Sequence, residues 1–361
     1  MRIVIAGGGT GGHLFPGIAI AEQFLKKDDK AQVIFIGTKK GIEYKLLGKL
    51  GYELRTIDIE GLKGRGLIAL AKSFYQVPQS MWQSRRILKQ FSPHLVIGVG
   101  GYASGPAVLT AHFMGIPTAI AEQNAVPGVT NRILGKFVNK IFVTYAKTAT
   151  LFEPNKVMLS GNPVRAAFIA GKELDKEKKD FWQLLIFGGS QGAAAINKAI
   201  IDMLPWLQKT KNKIHVVHQT GARQMEKVRQ VYKGSGIKAR VLPFIVDMAG
   251  AYKSADLIIC RAGATSLAEI TASGKAAILI PYPWAANDHQ TKNAQAMAEA
   301  GAAVMIRESE LSGCKLFEVI ESLLYDEQKL KKMENKSTKL GNINAAAKIV
   351  DACMKLMAKV N

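Results

Sequence analysis

The segment from Arg2 to His13 constrains the chain more than any other. A short apolar run, Ile3 to Ala6, is followed by five glycines within six positions and then by His13. An apolar run of that length reads as a buried strand, and glycine permits the positive φ and close backbone approach that a sharp turn after it needs. The spacing of Ile18, Ala21, Glu22 and Leu25 predicts a helix opening near His13. A loop feeding a helix N-terminus presents unpaired N–H groups and the positive end of the helix dipole, which suits an anion or a sugar hydroxyl.

Gly7, Gly9 and Gly12 also fit the G-x-G-x-x-G dinucleotide fingerprint. That fingerprint wants an acidic side chain about 20 residues further on, at the end of the second strand. Here Val33 to Ile36 runs into Gly37-Thr38-Lys39-Lys40. The two lysines could hold a 2′-phosphate, which keeps an NADP-dependent oxidoreductase as an alternative. An imidazole at the mouth of such a loop can act as a general base, because its pKa lies near working pH; the alternative for His13 is a capping or packed histidine.

At 361 residues the chain is too long for one ordinary core, and 48% hydrophobic with 21% charged residues marks it as folded and soluble. Three separated cysteines, Cys260, Cys314 and Cys353, form neither a disulfide framework nor a zinc pattern, so a cytoplasmic setting is expected. No apolar run approaches a membrane span and no export signal is visible. The surplus of 49 Lys and Arg over 28 Asp and Glu, +21, implies an anionic partner; no nucleic-acid motif accompanies it, which leaves a phosphorylated substrate or an anionic membrane surface.

Strand-like runs at Ile3 to Ala6, Val33 to Ile36, Leu95 to Val99, Thr118 to Ala121 and Ile141 to Val143 are separated by stretches long enough for crossover helices. That is the pattern of a doubly wound parallel sheet. After Gly161-Asn162-Pro163-Val164-Arg165 and a charged stretch, the pattern restarts at Leu184 to Phe187 with a second glycine loop, Gly188 to Gly192. Further runs at Ile214 to Val217, Ala239 to Leu242, Leu257 to Cys260, Ala276 to Ile280 and Ala303 to Ile306 complete a second sheet. The fold class is therefore α/β, two Rossmann-like domains, with both glycine loops expected to look into one interdomain cleft. The tail, with Ile343, Ala346, Ile349, Val350, Cys353, Leu356, Met357 and Val360 at helical spacing, reads as an amphipathic helix.

Four further constellations carry chemistry. The backbone of Gly188 to Gly192 and the Ser190 hydroxyl can cradle a diphosphate, without the lysine of a Walker loop; a plain tight turn is the alternative. Cys260 to Glu269 turns through small residues into a helix, where Glu269 could accept from both hydroxyls of a ribose, or serve only the helix dipole or the surface. Pro281 to Asn293 frames a polar cluster in which the Gln290 amide could donate to and accept from sugar hydroxyls, or merely cap a helix. Gly98 to Gly105, with Tyr102, and Glu122-Gln123-Asn124 each follow a strand and so share a rim with His13. His13 is the first candidate base and Glu122 the second.

Gly-Gly-Thr-Gly-Gly-His at 8 to 13, Gly-Gly-Tyr at 100 to 102, Glu-Gln-Asn at 122 to 124, Gly-Asn-Pro-Val-Arg at 161 to 165, Gly-Gly-Ser-Gln-Gly at 188 to 192, Arg261 through Glu269, and Asp-His-Gln at 288 to 290 occur in one order along the whole chain. In that order they resemble the MurG family of bacterial N-acetylglucosaminyltransferases, inverting enzymes of glycosyltransferase family 28 with the GT-B fold. The resemblance implies transfer of N-acetylglucosamine from UDP-N-acetylglucosamine to lipid I, an undecaprenyl-pyrophosphoryl-linked muramyl-pentapeptide, giving lipid II in peptidoglycan synthesis and cell-wall biogenesis. It implies an acceptor domain at 1–162, a UDP-sugar domain at 163–340, and a helix at 341–361 returning to the first domain.

By position it places Ser190, Gln191 and Gly192 on the diphosphate, Ile245 on the uracil, Ala264, Thr265, Ser266, Leu267, Ala268 and Glu269 about the ribose, and Gln290 on the sugar. Thr10, Gly11, Gly12, Tyr102 and Asn124 would contact the sugar and acceptor, and Arg165 a phosphate. Ala121 stands where that family often has His, and Thr265-Ser266-Leu267 departs from its Leu-Thr-Val. No cofactor and no metal are expected, since no Asp-x-Asp triplet occurs. Alternatives are a related GT-B enzyme on another glycolipid, the NADP oxidoreductase, and a non-catalytic UDP-sugar sensor.

From Gly61 through Ala121 the chain has no Asp or Glu, while Lys63, Arg65, Lys72, Arg85, Arg86 and Lys89 are basic. Interleaved are Leu67, Leu70, Ala71 and Phe74, then Met81, Trp82, Ile87 and Leu88, which could form an apolar patch with a basic rim; the alternative, favoured for any single one, is the core face of a crossover helix. Peripheral attachment to the cytoplasmic face of the cell membrane through the N-terminal domain is the expectation.

Overall fold

The computed structural model describes residues 1–60, 67–170, 180–189, 191–209, 214–285 and 288–358. The chain divides into two compact units, Met1–Arg165 with Ile343–Asn361, and Ala166–Asn342.

The first unit is built on a parallel sheet of β1 (Arg2–Ala6), β2 (Gln32–Gly37), β3 (Glu53–Thr56), β4 (Leu95–Gly98), β5 (Thr118–Glu122), β6 (Lys140–Val143) and β7 (Val157–Leu159), in the order β3-β2-β1-β4-β5-β6-β7. Side chains alternate across a strand, and both faces of this sheet are covered, so β1 is apolar at every position from Ile3 to Ala6. Ile3 and Ile5 face a core with Ile18 and Phe24 of the helix Gly11–Lys27. Val4 and Ala6 face the opposite core, with Ala107, Val108 and Leu134.

The helix Ala345–Ala358 belongs to the first of these cores. Ile349, Val350 and Cys353 are buried among Ile3, Phe24 and Leu95. Burying Ile349 and Val350 contributes about 1.5–3 kcal/mol each. By comparison the exposed Lys27–Asp351 pair on the same helix contributes at most about 1 kcal/mol. Packing, not charge, holds the helix to this unit. Val360 lies outside the described residues.

The second unit repeats the plan with β8 (Trp182–Phe187), β9 (Ile214–Gln219), β10 (Lys238–Leu242), β11 (Leu257–Cys260), β12 (Ala276–Leu279) and β13 (Ala303–Met305), all parallel in the order β10-β9-β8-β11-β12-β13. Its core gathers Leu184 and Ile186 with Ile200, Met203, Val216, Ile259 and Ile278. In both sheets the order reverses beside the first strand, at β1/β4 and at β8/β11, the switch point where open α/β sheets bind ligands.

β3 and β7 are additions to the expected strands. Both lie at edges of the first sheet; β3 alternates exposed and half-buried positions, and β7 has three residues. β3 lacks the continuous apolar run of a central strand, and β7, though apolar, is only three residues long and not buried.

The helix Leu67–Phe91 corrects part of the expected membrane patch. Ser80, Ser84 and Leu88, spaced four apart, are buried, and Leu88 and Ile87 join the core around Val4 and Val108. Trp82 is 64% exposed on another face, which it shares at helical spacing with exposed Arg85, Arg86 and Lys89. Lys63 and Arg65 lie outside the described residues, as do the side chains of Leu67, Leu70, Ala71, Lys72 and Phe74. Among the described residues no helix is long and apolar enough to cross a membrane.

Candidate functional site

The loop after β1 is locked to the loop after β4 through the backbone, with Gly8 N–H donating to the Gly100 carbonyl at 3.2 Å. Thr10 caps the helix Gly11–Lys27, which places His13 in its first turn. Gly100 sits at φ +94°, and a Cβ there would lie 2.7 Å from His13 Cδ2, so the imidazole rests where only glycine leaves room. His13 Nδ1 is 3.2 Å from the Gly8 carbonyl and 3.5 Å from Thr10 Oγ1. A carbonyl only accepts, so in the neutral ring the proton belongs on Nδ1 and Nε2 carries the lone pair.

A residue missed in the sequence fixes this loop. Glu43, 1% exposed in the short helix Ile42–Leu46, accepts from Gly9 N–H at 2.7 Å with one oxygen, and from Thr38 N–H and Oγ1 at 3.0 Å with the other. A Cβ on Gly8, Gly37 or Gly41 would collide with this side chain at 2.5, 2.7 and 2.0 Å, so three separate glycines make space for it. Its only local signal is an acid in a helix's first turn, a dipole position like many others. Glu43, Gly8 and Gly9 also line a cavity of about 240 Å³ with Lys40, Glu60 and the half-exposed Tyr102.

Glu122 ends β5, 3% exposed, and its two oxygens receive four donors: Asn124 N–H at 2.9 Å, Asn124 Nδ2 at 3.1 Å, Gly128 N–H at 3.1 Å and Asn131 Nδ2 at 2.9 Å. It therefore ties the loop after β5 together. Gln123 reaches back to the carbonyls of Val99 and Ala121. Arg165 closes the first unit, its guanidinium stacked 4.1 Å from the Phe15 ring two residues beyond His13. Thr10, Gly11, Gly12, His13 and Arg165 thus gather at one helix end, with Tyr102 and Asn124 on the neighbouring loops.

In the second unit the loop after β8 carries Gly188, Gly189, Gln191 and Gly192 into the helix Ala194–Leu207; Ser190 lies outside the described residues. This loop leans on the loop after β9. Gly192, at φ +75°, would place a Cβ 2.0 Å from the Thr220 carbonyl. Gln219, the last residue of β9, donates to the Gly189 carbonyl at 2.8 Å and accepts from Ile245 N–H at 2.7 Å. Behind it His218 bonds to Asn197 Oδ1 at 3.1 Å and to the Tyr232 hydroxyl at 3.3 Å, and burial holds its pKa down at about 3, so the ring is neutral. Gln219 was also missed; its signal was a polar residue followed by Thr220-Gly221 at a strand's end.

β11 leads through Arg261 to the helix Ala264–Ala272, opened by Gly263. Ala264, Thr265, Leu267 and Glu269 are buried there, Ser266 and Ala268 half-buried. Glu269 lies close enough to add its charge to the burial that pushes the Cys260 thiol up. Gln290, in the first turn of His289–Glu299, accepts from Tyr282 N–H at 3.0 Å, and Asn293 Nδ2 donates to the Ala262 carbonyl at 3.1 Å. Arg261 braces the same corner, donating to the Ile280 and Pro281 carbonyls, pairing with Glu308 and stacking on Tyr282. Among the described residues no group of three or more His, Cys, Asp or Glu is placed to hold a metal ion.

Comparison with known proteins covers both units. Residues 3–143 match the glycosyltransferase family 28 N-terminal domain and residues 183–352 the glycosyltransferase family 28 C-terminal domain. A protein of Syntrophus aciditrophicus (strain SB) is 55% identical over 357 residues, 99% of each chain; it is named UDP-N-acetylglucosamine--N-acetylmuramyl-(pentapeptide) pyrophosphoryl-undecaprenol N-acetylglucosamine transferase. A protein of the same name from Myxococcus xanthus (strain DK1622) is 46% identical over 99% of this chain and 94% of its own. The crystal structure of Acinetobacter baumannii MurG superposes with a TM-score of 0.74 at 32% identity, covering 98% of this chain and 99% of that one.

Proposed function

The chain belongs to glycosyltransferase family 28, and from that premise we propose that it moves N-acetylglucosamine from UDP-N-acetylglucosamine to the muramyl sugar of lipid I, giving lipid II. The observation that carries this is the 55% identity along the full chain to a transferase of that name. The fold agrees: two parallel-sheet units, each opening on a glycine loop at its switch point.

The second unit takes the donor. Backbone N–H groups about Gly189 and Gln191 and the N-terminus of the helix Ala194–Leu207 favour the diphosphate, with Ser190 contributing a hydroxyl. The Ile245 segment takes the uracil, the Ala264 to Glu269 turn the ribose, and Gln290, whose carbonyl oxygen is engaged by Tyr282, offers its NH2 to the sugar. The first unit takes the acceptor through Thr10, Gly11, Gly12, Tyr102 and Asn124, and Arg165 meets phosphate.

In the transfer, the acceptor hydroxyl oxygen attacks the anomeric carbon from the side opposite the departing diphosphate. Its proton passes to His13 Nε2, whose partner nitrogen is held by the Gly8 carbonyl. The bond from that carbon to the phosphate oxygen breaks, UDP leaves with the electron pair, and the configuration inverts. His13 suits the base role better than Glu122, whose oxygens are engaged by four donors. A dinucleotide cofactor is disfavoured at the first loop, because the Gly9 N–H is bonded to the Glu43 carboxylate and Lys40 is paired with Glu60.

The acceptor's lipid stays in the membrane, and the face bearing Trp82, Arg85, Arg86 and Lys89 suits docking on an anionic bilayer, at the cytoplasmic face of the cell membrane. Phe113, 68% exposed, ends the helix Ser104–Phe113, which is tied to the helix Leu67–Phe91 by Thr110 donating to the Met81 carbonyl. Transfer from UDP-N-acetylglucosamine to a lipid I analogue, followed by release of UDP, tests the assignment. UDP release without a glycosylated acceptor, or tight NADPH binding that displaces UDP, would refute it.

A further inference from the structure

Resting on the donor assignment above, we infer that Gln219 is a positioning residue that holds the diphosphate loop and the uracil segment in register, so that one nucleotide can occupy both. The inference starts from strand pairing. β9 lies between β8 and β10, and the parallel register aligns Phe187, Gln219 and Leu242 as the last paired residues of the three strands. A side chain at the tip of the middle strand can therefore reach the chain leaving each neighbour. Beyond Phe187 that chain is the loop containing Gly189, and beyond Leu242 it is Pro243-Phe244-Ile245.

Glutamine has the chemistry for both. Its amide nitrogen donates to the Gly189 carbonyl at 2.8 Å while its amide oxygen accepts from Ile245 N–H at 2.7 Å. The side chain is 1% exposed, and both bonds have short, ordinary lengths, so it has little freedom to move. The same Gly189 carbonyl also accepts from Gly192 N–H at 3.0 Å, which closes the loop on itself. Around Gly189 a Cβ would meet nothing within 4 Å, so the loop is supported from the Gln219 side and open on the other. The two segments share no backbone hydrogen bond among the described residues; the Gln219 amide is the bond that joins them.

The advantage of joining two fragments into one ligand depends on their subsites being held at the right separation. Removing Gln219 should therefore weaken the whole nucleotide diphosphate more than either part. Gln219→Ala and Gln219→Glu in the full chain are to be compared with wild type, using UDP, uridine and inorganic pyrophosphate as competitive inhibitors of transfer. Expected are a tenfold or greater rise in the UDP inhibition constant and in KM for UDP-N-acetylglucosamine, changes under threefold for uridine and pyrophosphate, and an unaltered KM for the lipid acceptor. Gln219→Glu keeps an acceptor for Ile245 but faces Gly189 with a second acceptor, so it should not rescue. Met203→Ala, a cavity in the core of the same unit, serves as the stability control and should lower the thermal midpoint without the fragment pattern.

UDP, uridine and pyrophosphate all weakened by the same factor would make Gln219 a general support and overturn the inference, as would unchanged UDP inhibition in Gln219→Ala. Wild-type protein that failed to bind UDP would overturn the donor assignment, and this inference with it.

Discussion

The two glycine loops follow equivalent strands, β1 and β8, but they are braced by different groups from different directions. The first is bonded to the loop after β4, across the switch point, and held by the Glu43 carboxylate. The second is pressed against the loop after β9, away from the switch point, and held by the neutral Gln219 amide. A carboxylate beside a loop that must take a nucleotide diphosphate would oppose the ligand's charge, whereas a carboxamide does not. A loop whose partner is a neutral sugar hydroxyl tolerates a fixed anion. Under the proposed function the brace matches the ligand at each loop, a carboxylate where a hydroxyl is to bind and a carboxamide where UDP is, although both read as strand, glycines, helix.

The comparison breaks most visibly at the base. His13→Ala should lower turnover by about 10²–10⁴ while the UDP inhibition constant stays within twofold; a variant with normal turnover would remove His13 from the chemistry. The next effect concerns the membrane face, which is assigned to the first unit alone. Replacing Arg85, Arg86 and Lys89 together by Gln should weaken binding to anionic vesicles by about 3 kcal/mol, with UDP affinity unchanged; equal sedimentation with neutral vesicles would contradict it.

Exchanging the braces sharpens the contrast further. In Glu43→Gln an NH2 group must face one of the N–H donors of Gly9 or Thr38. Urea unfolding should show the first unit weaker by about 1–3 kcal/mol, with UDP inhibition unaltered. A donor-site defect in that variant would mean that the loops are not independent.

The smallest effect is set by pH. The His218 pKa is pushed down from 6.5 to about 3 by burial, so below pH 6.5 the unfolded chain binds a proton that the folded second unit refuses. The stability this supplies is complete above pH 6.5 and is lost by about 1.4 kcal/mol per pH unit on descending toward 3. Unfolding measured at pH 7 and 5.5 should show this slope, and His218→Gln should flatten it.

β1, β4 and β8 and the two glycine loops were legible because each of these strands carries an unbroken apolar run leading into glycines, and β5, β11 and β12 by their apolar runs alone. β3 and β7 were not, since an edge strand is half solvated or short and its residues become strand only by pairing with β2 and β6. His13 announced itself by its place after the glycines. Glu43 and Gln219 gave no such notice: Glu43 bonds to Gly9 34 residues away and Gln219 to Gly189 30 residues away, separations that only the sheet register resolves. Ile87 and Leu88 were misread for a related reason: apolar residues at helical spacing do not say which side of the helix faces the core.

The helix Ala345–Ala358, packed into the core of the first unit, means that this unit is assembled from two stretches of chain separated by the whole of the second unit. During synthesis the second unit has all its residues once Asn342 has emerged, whereas the first must wait with Ile3, Phe24 and Leu95 partly uncovered until the last helix arrives. At roughly 5–20 residues per second that wait lasts on the order of ten seconds or more after residue 165, a window in which a nascent chain offers apolar surface to chaperones. A truncation after Asn342 would leave every residue of the second unit in place. It would nonetheless deprive the first unit, synthesised before it, of the helix that completes its core.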